Sequence, residues 1–450
     1  MSGHPADFLR PGRAVTLAHV ADGAEGLVLS DLARGVAARK DAPAISLAVV
    51  CRDGPRMAAL SRGLAFFAPD LDVLECPAWD CLPYDRVSPH PGVMAQRMTT
   101  LSRLAHVEGR DKPSILLTTV NAILQRVPPR NRIASQSLSA APGNVLPMQR
   151  VISWLDLNGY LRASTVREPG EYAVRGGILD LFPPGLGDPV RFDFFGDQLE
   201  SIRAFDAETQ RTSGELRALD LVPAAEFQIT SETISKFRTG YVAAFGAPAR
   251  DDQLYEAVSE GRRHPGMEHW LPLFHERMDT LLDYVPGSPL AFEALADEAA
   301  RERFAQIADY YEARRNPLDK SGAPYHPLPP DKLYLPETEW TQRLGQRAIA
   351  RLTPFDVPAA PDVIDAGVRP GKNFAAERAQ PDANVFEALR AHVHALQGAR
   401  KRVIVALWSE GARERMGHVL ADHKLVNLTN VRSWPQALAR PKTDIGLAVL

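Results

Sequence analysis

The first residues that could do chemistry form a glycine-bearing turn near the start of the chain, Ala21-Asp22-Gly23-Ala24-Glu25-Gly26-Leu27. A segment of helical spacing follows at about residues 28–39, so the turn lies where a phosphate-binding loop would lie. Such a loop needs a Lys for the β- and γ-phosphates and a Ser or Thr for magnesium. Here Gly26 and Leu27 hold those positions, and Glu25 adds a negative charge. We predict a degenerate loop (Gly23, Gly26, Leu27) that binds neither ATP nor magnesium; a weak loop completed by a partner is the alternative.

A helicase-type ATPase also needs neighbouring acids at the end of a strand, one for the metal ion and one to activate water. Glu293 follows the apolar run 289–292, but the next residue is Ala294. A single acid does not make that site, so we predict that Glu293 is a solvated residue at the start of a helix, where a negative charge is favoured.

No other catalytic or metal-binding pattern is present. The sequence contains neither H-E-x-x-H nor G-x-S-x-G. His392 and His394 are two residues apart on a predicted helix and therefore point to different faces. Three cysteines, Cys51, Cys76 and Cys81, cannot build a disulfide framework and are predicted to be small core thiols. We predict no catalytic residue, no metal and no cofactor for this chain.

Composition and charge argue against a nucleic-acid-binding protein and against a membrane protein. The chain has 450 residues, with 52 Lys and Arg against 55 Asp and Glu, a net charge of −3 and a hydrophobic content of 45%. This length suggests about three domains. The balance of charge offers no basic surface for nucleic acid. No apolar run is long enough for a membrane span and no signal peptide is evident, which predicts a cytoplasmic protein without membrane contact.

The pattern of apolar residues predicts an α/β protein with several units. Strand-like runs such as residues 45–50 and 114–119 alternate with helical segments at 56–67 and 92–106, which indicates a parallel-sheet layer domain. Shorter alternating strands broken by Gly and Pro indicate an inserted α+β antiparallel module. We therefore predict a layer domain at 1–129 and 223–350, the inserted module at 130–222, a linker at 351–384 and a small α/β unit at 385–450. Because residues 444–450 look like a buried strand, we expect that a longer protein continues beyond them.

Within the module, the run 190–195 is a candidate docking strand. Successive side chains of a strand lie on opposite faces. The face that suits a core consists of Val190, Phe192 and Phe194. Arg191 and Phe195 lie on the other face, and on the preceding strand Arg175 is also predicted to point outward. Arg and aromatic side chains are enriched at protein interfaces. The alternative is that Phe195 is covered and that both arginines pair with local acids, which are plentiful in this module.

Four segments resemble a known family: W-D-C-L-P-Y-D-R-V-S-P-H at 79–90, G-E-Y-A-V-R-G-G-I-L-D-L-F-P at 170–183, R-F-D-F-F at 191–195 and G-M-E-H-W-L-P-L-F at 266–274. They are similar to stretches of the bacterial transcription-repair coupling factors. The resemblance is dense from about residue 15 to 285 and becomes sparse towards 450. It therefore implies the N-terminal part of such a factor.

The resemblance implies a fold similar to UvrB, with a helicase-like layer domain that has lost its ATP site and an inserted UvrA-binding module at 130–222. It places the UvrA contacts on Arg175, Arg191 and Phe195. Only residues 83–93 are available for the DNA-clasping hairpin of UvrB, which argues against clamping of damaged DNA.

The resemblance also implies that the parent protein displaces stalled RNA polymerase and moves along DNA with ATP and magnesium. We expect those partners and cofactors to bind segments outside this chain. The rival interpretations are a UvrB-like damage-recognition ATPase, which needs a Lys in place of Gly26, and a nucleic-acid-binding protein, which needs a basic face.

Overall fold

The computed structural model describes residues 4–107, 112–315, 325–380 and 384–450. The strands are β1 (Ala14–Ala18), β2 (Leu47–Cys51), β3 (Asp72–Cys76), β4 (Ser114–Thr119), β5 (Arg126–Val127), β6 (Leu138–Ala140), β7 (Leu161–Arg162), β8 (Glu171–Arg175), β9 (Ile178–Leu181), β10 (Val190–Phe195), β11 (Gln198–Phe205), β12 (Thr212–Glu215), β13 (Leu219–Leu221), β14 (Asp279–Thr280), β15 (Leu290–Phe292), β16 (Ile349–Leu352), β17 (Val363–Asp365), β18 (Val403–Leu407), β19 (Leu428–Asn430) and β20 (Ile445–Val449). The α-helices are α1 (Glu25–Ala37), α2 (Gly54–Phe67), α3 (Pro91–Ala105), α4 (Val120–Ile123), α5 (Arg130–Ala134), α6 (Met148–Leu157), α7 (Ser231–Phe245), α8 (Gln253–Ser259), α9 (Leu281–Tyr284), α10 (Ala296–Arg315), α11 (Pro330–Leu333), α12 (Glu337–Leu344), α13 (Ala375–Arg378), α14 (Val385–Gly398), α15 (Glu410–Asp422) and α16 (Trp434–Ala439). Two 3-10 helices span Pro5–Phe8 and Met267–Phe274.

A seven-stranded parallel sheet, in the order β17-β1-β16-β15-β2-β4-β3, forms the layer domain. Helices α1 and α2 pack on one face of the sheet, and α3, α4 and α10 pack on the other. Every residue of β2 and of β4 is buried, as expected for central strands covered on both faces. The predicted α/β layer architecture is confirmed.

The inserted module is a six-stranded sheet in the order β12-β11-β10-β9-β8-β7, antiparallel except for the β7–β8 pair. One face packs against α6, with Val151, Leu155, Tyr172 and Phe192 in the core. The pattern of residues 175–182 predicts a single strand of this sheet, and this is wrong: a turn at Gly176, whose φ is +64°, separates β8 from β9. The Gly176-Gly177 pair in this run is a two-residue hairpin signal, which the prediction of one strand overlooked.

A buried ion pair joins the module to the layer domain. The Nε of Arg97 donates to Oε1 of Glu226 at 2.7 Å, and both side chains are fully buried. Arg97 also donates from Nη1 to the carbonyl of Pro77 at 2.7 Å. Since Arg97 lies on α3 and Glu226 lies in the chain that leaves the module, the pair fixes this junction.

The C-terminal unit is a three-stranded parallel sheet in the order β18-β20-β19, with α14 and α15 in its apolar core. It packs on α2, where the rings of Phe67 and Trp434 are 5.5 Å apart. The predicted linker at 351–384 is more ordered than expected, because β17 pairs with β1 and extends the layer sheet.

Two further predictions concern the segments around α9 and α10. The apolar run 281–285 predicts a short strand, but the residues form α9, because Thr280 and Asp283 make a capping box that starts a helix. The prolines of segment 316–336 predict irregular structure; residues 316–324 lie outside the described residues, and 330–333 form α11.

Candidate functional site

The outer face of the module sheet, opposite α6, carries the three residues singled out from the sequence. In β10, Val190 and Phe192 are buried in the core, whereas Phe195 is 77% exposed. The register of the β10–β11 pair shifts between Asp193 and Phe194, and Phe195 is then opposite Gln198 at the end of the hairpin. The tight turn that follows uses Gly196 with φ +58°. The alternation predicted for this strand is confirmed, and the ring of Phe195 projects from the hairpin end.

Arg191 lies on the same face but is only 20% exposed in its side chain. Its Nε and Nη2 donate to the two carboxylate oxygens of Asp180 at 2.6 and 2.8 Å. Asp180 is directly opposite on β9 and is 2% exposed. The guanidinium also stacks 5.0 Å from the centre of the buried ring of Phe205. These hydrogen bonds to Asp180 raise the pKa of Arg191 above its usual value. Pairing with a local acid, the alternative left open by the sequence, is therefore what the structure shows for Arg191.

Arg175, at the end of β8, is exposed, and its Nη2 donates to the carbonyl of Ser164 at 2.8 Å and to Oγ1 of Thr165 at 3.2 Å. It is opposite Ile178, which is in turn opposite Asp193 of β10. Directly opposite residues of antiparallel strands share a face. The sheet thus brings Arg175, Arg191 and Phe195 to one surface, which we call the outer face. Their role in binding stays a prediction.

A second ion pair on the outer face was not found from the sequence. Asp193 accepts hydrogen bonds from Nε and Nη2 of Arg203 at 3.0 and 2.5 Å and from the hydroxyl of Ser201 at 2.6 Å. Arg203 is directly opposite Arg191 on β11. Alternation along β11 places Arg203 outward, but the sequence alone does not give the register that pairs it with Asp193.

The polar groups around the glycine-bearing turn pair with one another. Oε2 of Glu25 accepts from the backbone N–H of Gly23 at 2.7 Å, and Oε1 of Glu25 accepts from Nη2 of Arg56 at 2.7 Å. Arg56 also donates from Nε to Glu293 at 2.5 Å. A Cβ at Gly26 would come within 3.0 Å of the backbone of Gly63 on α2. The carboxylate of Glu25 therefore lies against the backbone of Gly23, and α1 crosses α2 closely at Gly26.

The prediction that Glu293 is a solvated residue is wrong. Its side chain is 5% exposed and pairs with Arg56, and it also accepts from the backbone N–H of Arg52 at 3.1 Å. The reason is spatial: β15 is next to β2 in the sheet, so its end meets the start of α2. No pattern within one segment shows that contact.

Neither a metal site nor a membrane-spanning helix stands out where the structure is described. Within the described ranges, no three His, Cys, Asp or Glu side chains are grouped so as to hold a metal ion. None of the helices described has the length and apolar character needed to cross a membrane. Cys51 and Cys76 are buried and Cys81 is partly buried.

Comparison with known proteins connects the module to a family. Residues 138–227 match the UvrB interaction domain, and this range contains the whole outer face. The chain is 31% identical to the transcription-repair-coupling factor of Haemophilus influenzae over 430 residues, which cover 92% of this chain and 35% of the relative. The Escherichia coli K12 factor is 32% identical over 358 residues, covering 79% and 30%. The Bacillus subtilis factor is 29% identical over 246 residues, covering 52% and 20%.

The chain spans about a third or less of the length of these relatives. The family resemblance predicted from the four motifs is confirmed by these matches. The chain thus contains a UvrB interaction domain and is related, over most of its length, to part of the transcription-repair-coupling factors.

Proposed function

We propose that this chain binds UvrA through the outer face of its module and so recruits the excision-repair machinery. The observation that carries the proposal is an exposed Phe195 on a sheet face that also presents Arg175 and Arg191, within residues that match the UvrB interaction domain. Arg and aromatic residues are enriched at protein interfaces and carry much of their binding energy.

The acidic character of the module supports a protein partner over DNA. Between residues 151 and 215 there are six Arg and no Lys against eleven Asp and Glu. At least two of those arginines, Arg191 and Arg203, are neutralised by Asp180 and Asp193. DNA binding depends on uncompensated cations that neutralise phosphates. The outer face offers few of them.

For the parent protein we propose the role of a coupling factor, in which displacement of stalled RNA polymerase is followed by recruitment of UvrA. RNA polymerase, DNA, ATP and magnesium would bind segments outside this chain, and the chain itself would be catalytically silent in the cytoplasm. The position of Glu25 in the turn at Gly23 supports the absence of ATP hydrolysis by this chain, since its carboxylate repels an incoming phosphate.

Binding of the purified chain to immobilised UvrA tests the proposal, with Arg175→Ala as the variant. Arg175 is exposed and its hydrogen bonds go only to loop residues, so its removal should leave the melting temperature unchanged. We expect the same change to weaken UvrA binding about tenfold, which is about 1.4 kcal/mol. Arg217→Ala, at an exposed position beyond β12, is the matched control and should bind like wild type. A wild-type chain that does not bind UvrA at micromolar concentration would contradict the proposal.

A further inference from the structure

Asp180 is a buried carboxylate that pairs with Arg191. It is 2% exposed, lies on β9 in the middle of the module sheet, and both of its oxygens accept from Arg191. Its neighbour across the other strand pair is Ala173, which cannot hydrogen-bond through its side chain. A carboxylate is costly to bury unless it is fully paired. The side chain of Asp180 therefore faces Arg191 and depends on it.

The orientation of Arg191 is set from two directions. Asp180 holds the edge formed by Nε and Nη2, and the ring of Phe205 supports the flat face of the guanidinium at 5.0 Å. Phe205 is itself fully buried and packed with Val166, Ala173 and Phe182. Nη1 of Arg191 donates to no atom of the residues that the structure describes, and the side chain keeps 20% of its surface exposed.

We propose that Asp180 is a positioning residue of the outer face. It holds Arg191 so that Nη1 of Arg191 can donate a hydrogen bond to a carboxylate of the bound partner. This inference rests on the proposed function and deepens it by naming the chemistry of the partner group. An acceptor that meets a fixed guanidinium makes a charge-assisted hydrogen bond without ordering a flexible side chain, which is why preorganised arginines bind tightly.

The chain contains a matched control for this arrangement. In the layer domain, Arg351 donates from Nε and Nη2 to Asp297 at 2.7 and 3.3 Å and stacks 5.6 Å from the ring of Phe292. This pair has the same hydrogen-bonding groups as Arg191 and Asp180 and is remote in sequence from the module, but the side chain of Asp297 is 40% exposed. Asp297→Asn removes a paired, exposed carboxylate without touching the outer face, so it controls for the loss of an Arg–Asp pair elsewhere in the chain.

The experiment measures the affinity of the 450-residue chain for purified UvrA together with its melting temperature. Asp180→Asn should weaken binding about tenfold, whereas Asp297→Asn should bind within twofold of wild type. In an Arg191→Ala background, Asp180→Asn should have no further effect on affinity, because the residue acts through Arg191. A tenfold loss that persists in that background would overturn the proposal, and so would wild-type affinity of the single variant.

Arg191→Lys keeps the inference testable if Asp180→Asn does not fold. Lys still neutralises Asp180 but lacks the planar fork, so it cannot be held in the same orientation. We expect the same tenfold loss, and wild-type affinity would overturn the proposal. The affinity of wild type should also decrease with added salt more steeply than that of Arg191→Ala; equal slopes would rule out a charged acceptor.

These outcomes separate the two proposals. If the wild-type chain does not bind UvrA, the proposed function fails. If the chain binds UvrA and Arg175→Ala weakens it, but the Asp180 and Arg191→Lys variants bind like wild type, only the positioning role of Asp180 fails.

Discussion

Phe195→Ala should separate binding from stability more clearly than any other change on the outer face. A phenylalanine ring presents roughly 200 Å², and 77% of this residue is exposed. A partner that covers it removes about 150 Å² from water, which is at most about 4 kcal/mol at ~25 cal/mol per Å². Ordering of the interface reduces this, so we expect a loss of at least about 2 kcal/mol, or roughly thirtyfold in affinity.

Two other phenylalanines serve as controls for this measurement. Phe355 is 71% exposed but lies outside the module, so Phe355→Ala should change neither UvrA binding nor the melting temperature. Phe192 lies three residues before Phe195 on the same strand and is fully buried, so Phe192→Ala should lower the free energy of unfolding by about 3–5 kcal/mol. Phe195→Ala should cost under about 0.5 kcal/mol of stability.

Titration calorimetry for affinity and urea denaturation for stability, on the same preparations, decide the matter. The reasoning would be refuted if Phe195→Ala bound UvrA as tightly as Phe355→Ala, since an exposed ring that contributes nothing is not part of the interface. It would also be refuted if Phe195→Ala destabilised the chain as Phe192→Ala does, because the ring would then belong to the core.

Four further predictions follow from the rest of the chain. Calorimetry with ATP and magnesium should show no binding, and Gly26→Lys should not create it, because the added side chain meets the backbone of α2; micromolar binding by either protein would contradict this. Glu226→Ala should lower the free energy of unfolding in urea by about 3–5 kcal/mol, since Arg97 would stay buried and unpaired; a loss under about 1 kcal/mol would count against it. Burial lowers the pKa of His269 and of His275 from 6.5 to about 4. As the pH falls through 6.5 the unfolded chain gains protons that the folded chain does not, so each histidine should reduce stability by about 2 kcal/mol at pH 5, and His275→Gln should flatten that dependence. Mobility-shift assays should show little affinity for damaged or undamaged duplex DNA at physiological salt, and tight binding that weakens steeply with salt would reveal a basic surface.

The local spacing of apolar residues was enough to predict those strands and helices whose structure depends mainly on their own sequence. The buried run at 114–119 is β4, the helical run at 92–106 is α3, and the alternation at 190–195 gives the faces of β10. These predictions succeed because each kind of burial gives a recognisable pattern of apolar residues within a single segment. The predicted surface position of Phe195 has the same origin.

What was missed at Glu293 and at Arg191 comes from contacts between segments that are distant in the chain. Glu293 meets Arg56 because β15 is next to β2, and Arg191 meets Asp180 because β9 and β10 pair in one register. Register and sheet order are tertiary properties, so no window of sequence contains them. The helix at 281–284 is a different case, since its capping residues Thr280 and Asp283 were visible in the sequence and outweigh the apolar run.

The pairing of Arg191 with Asp180 changes what a mutation at Arg191 can show. On the strength of alternation alone, Arg191→Ala would be a pure surface change, equivalent to Phe195→Ala. In the structure it leaves a carboxylate that is 2% exposed without its partner, which costs stability as well as affinity. A loss of UvrA binding by Arg191→Ala is therefore ambiguous by itself. Phe195 and Arg175, which support no buried group, report on the interface directly, and Arg191 becomes informative only in combination with Asp180→Asn.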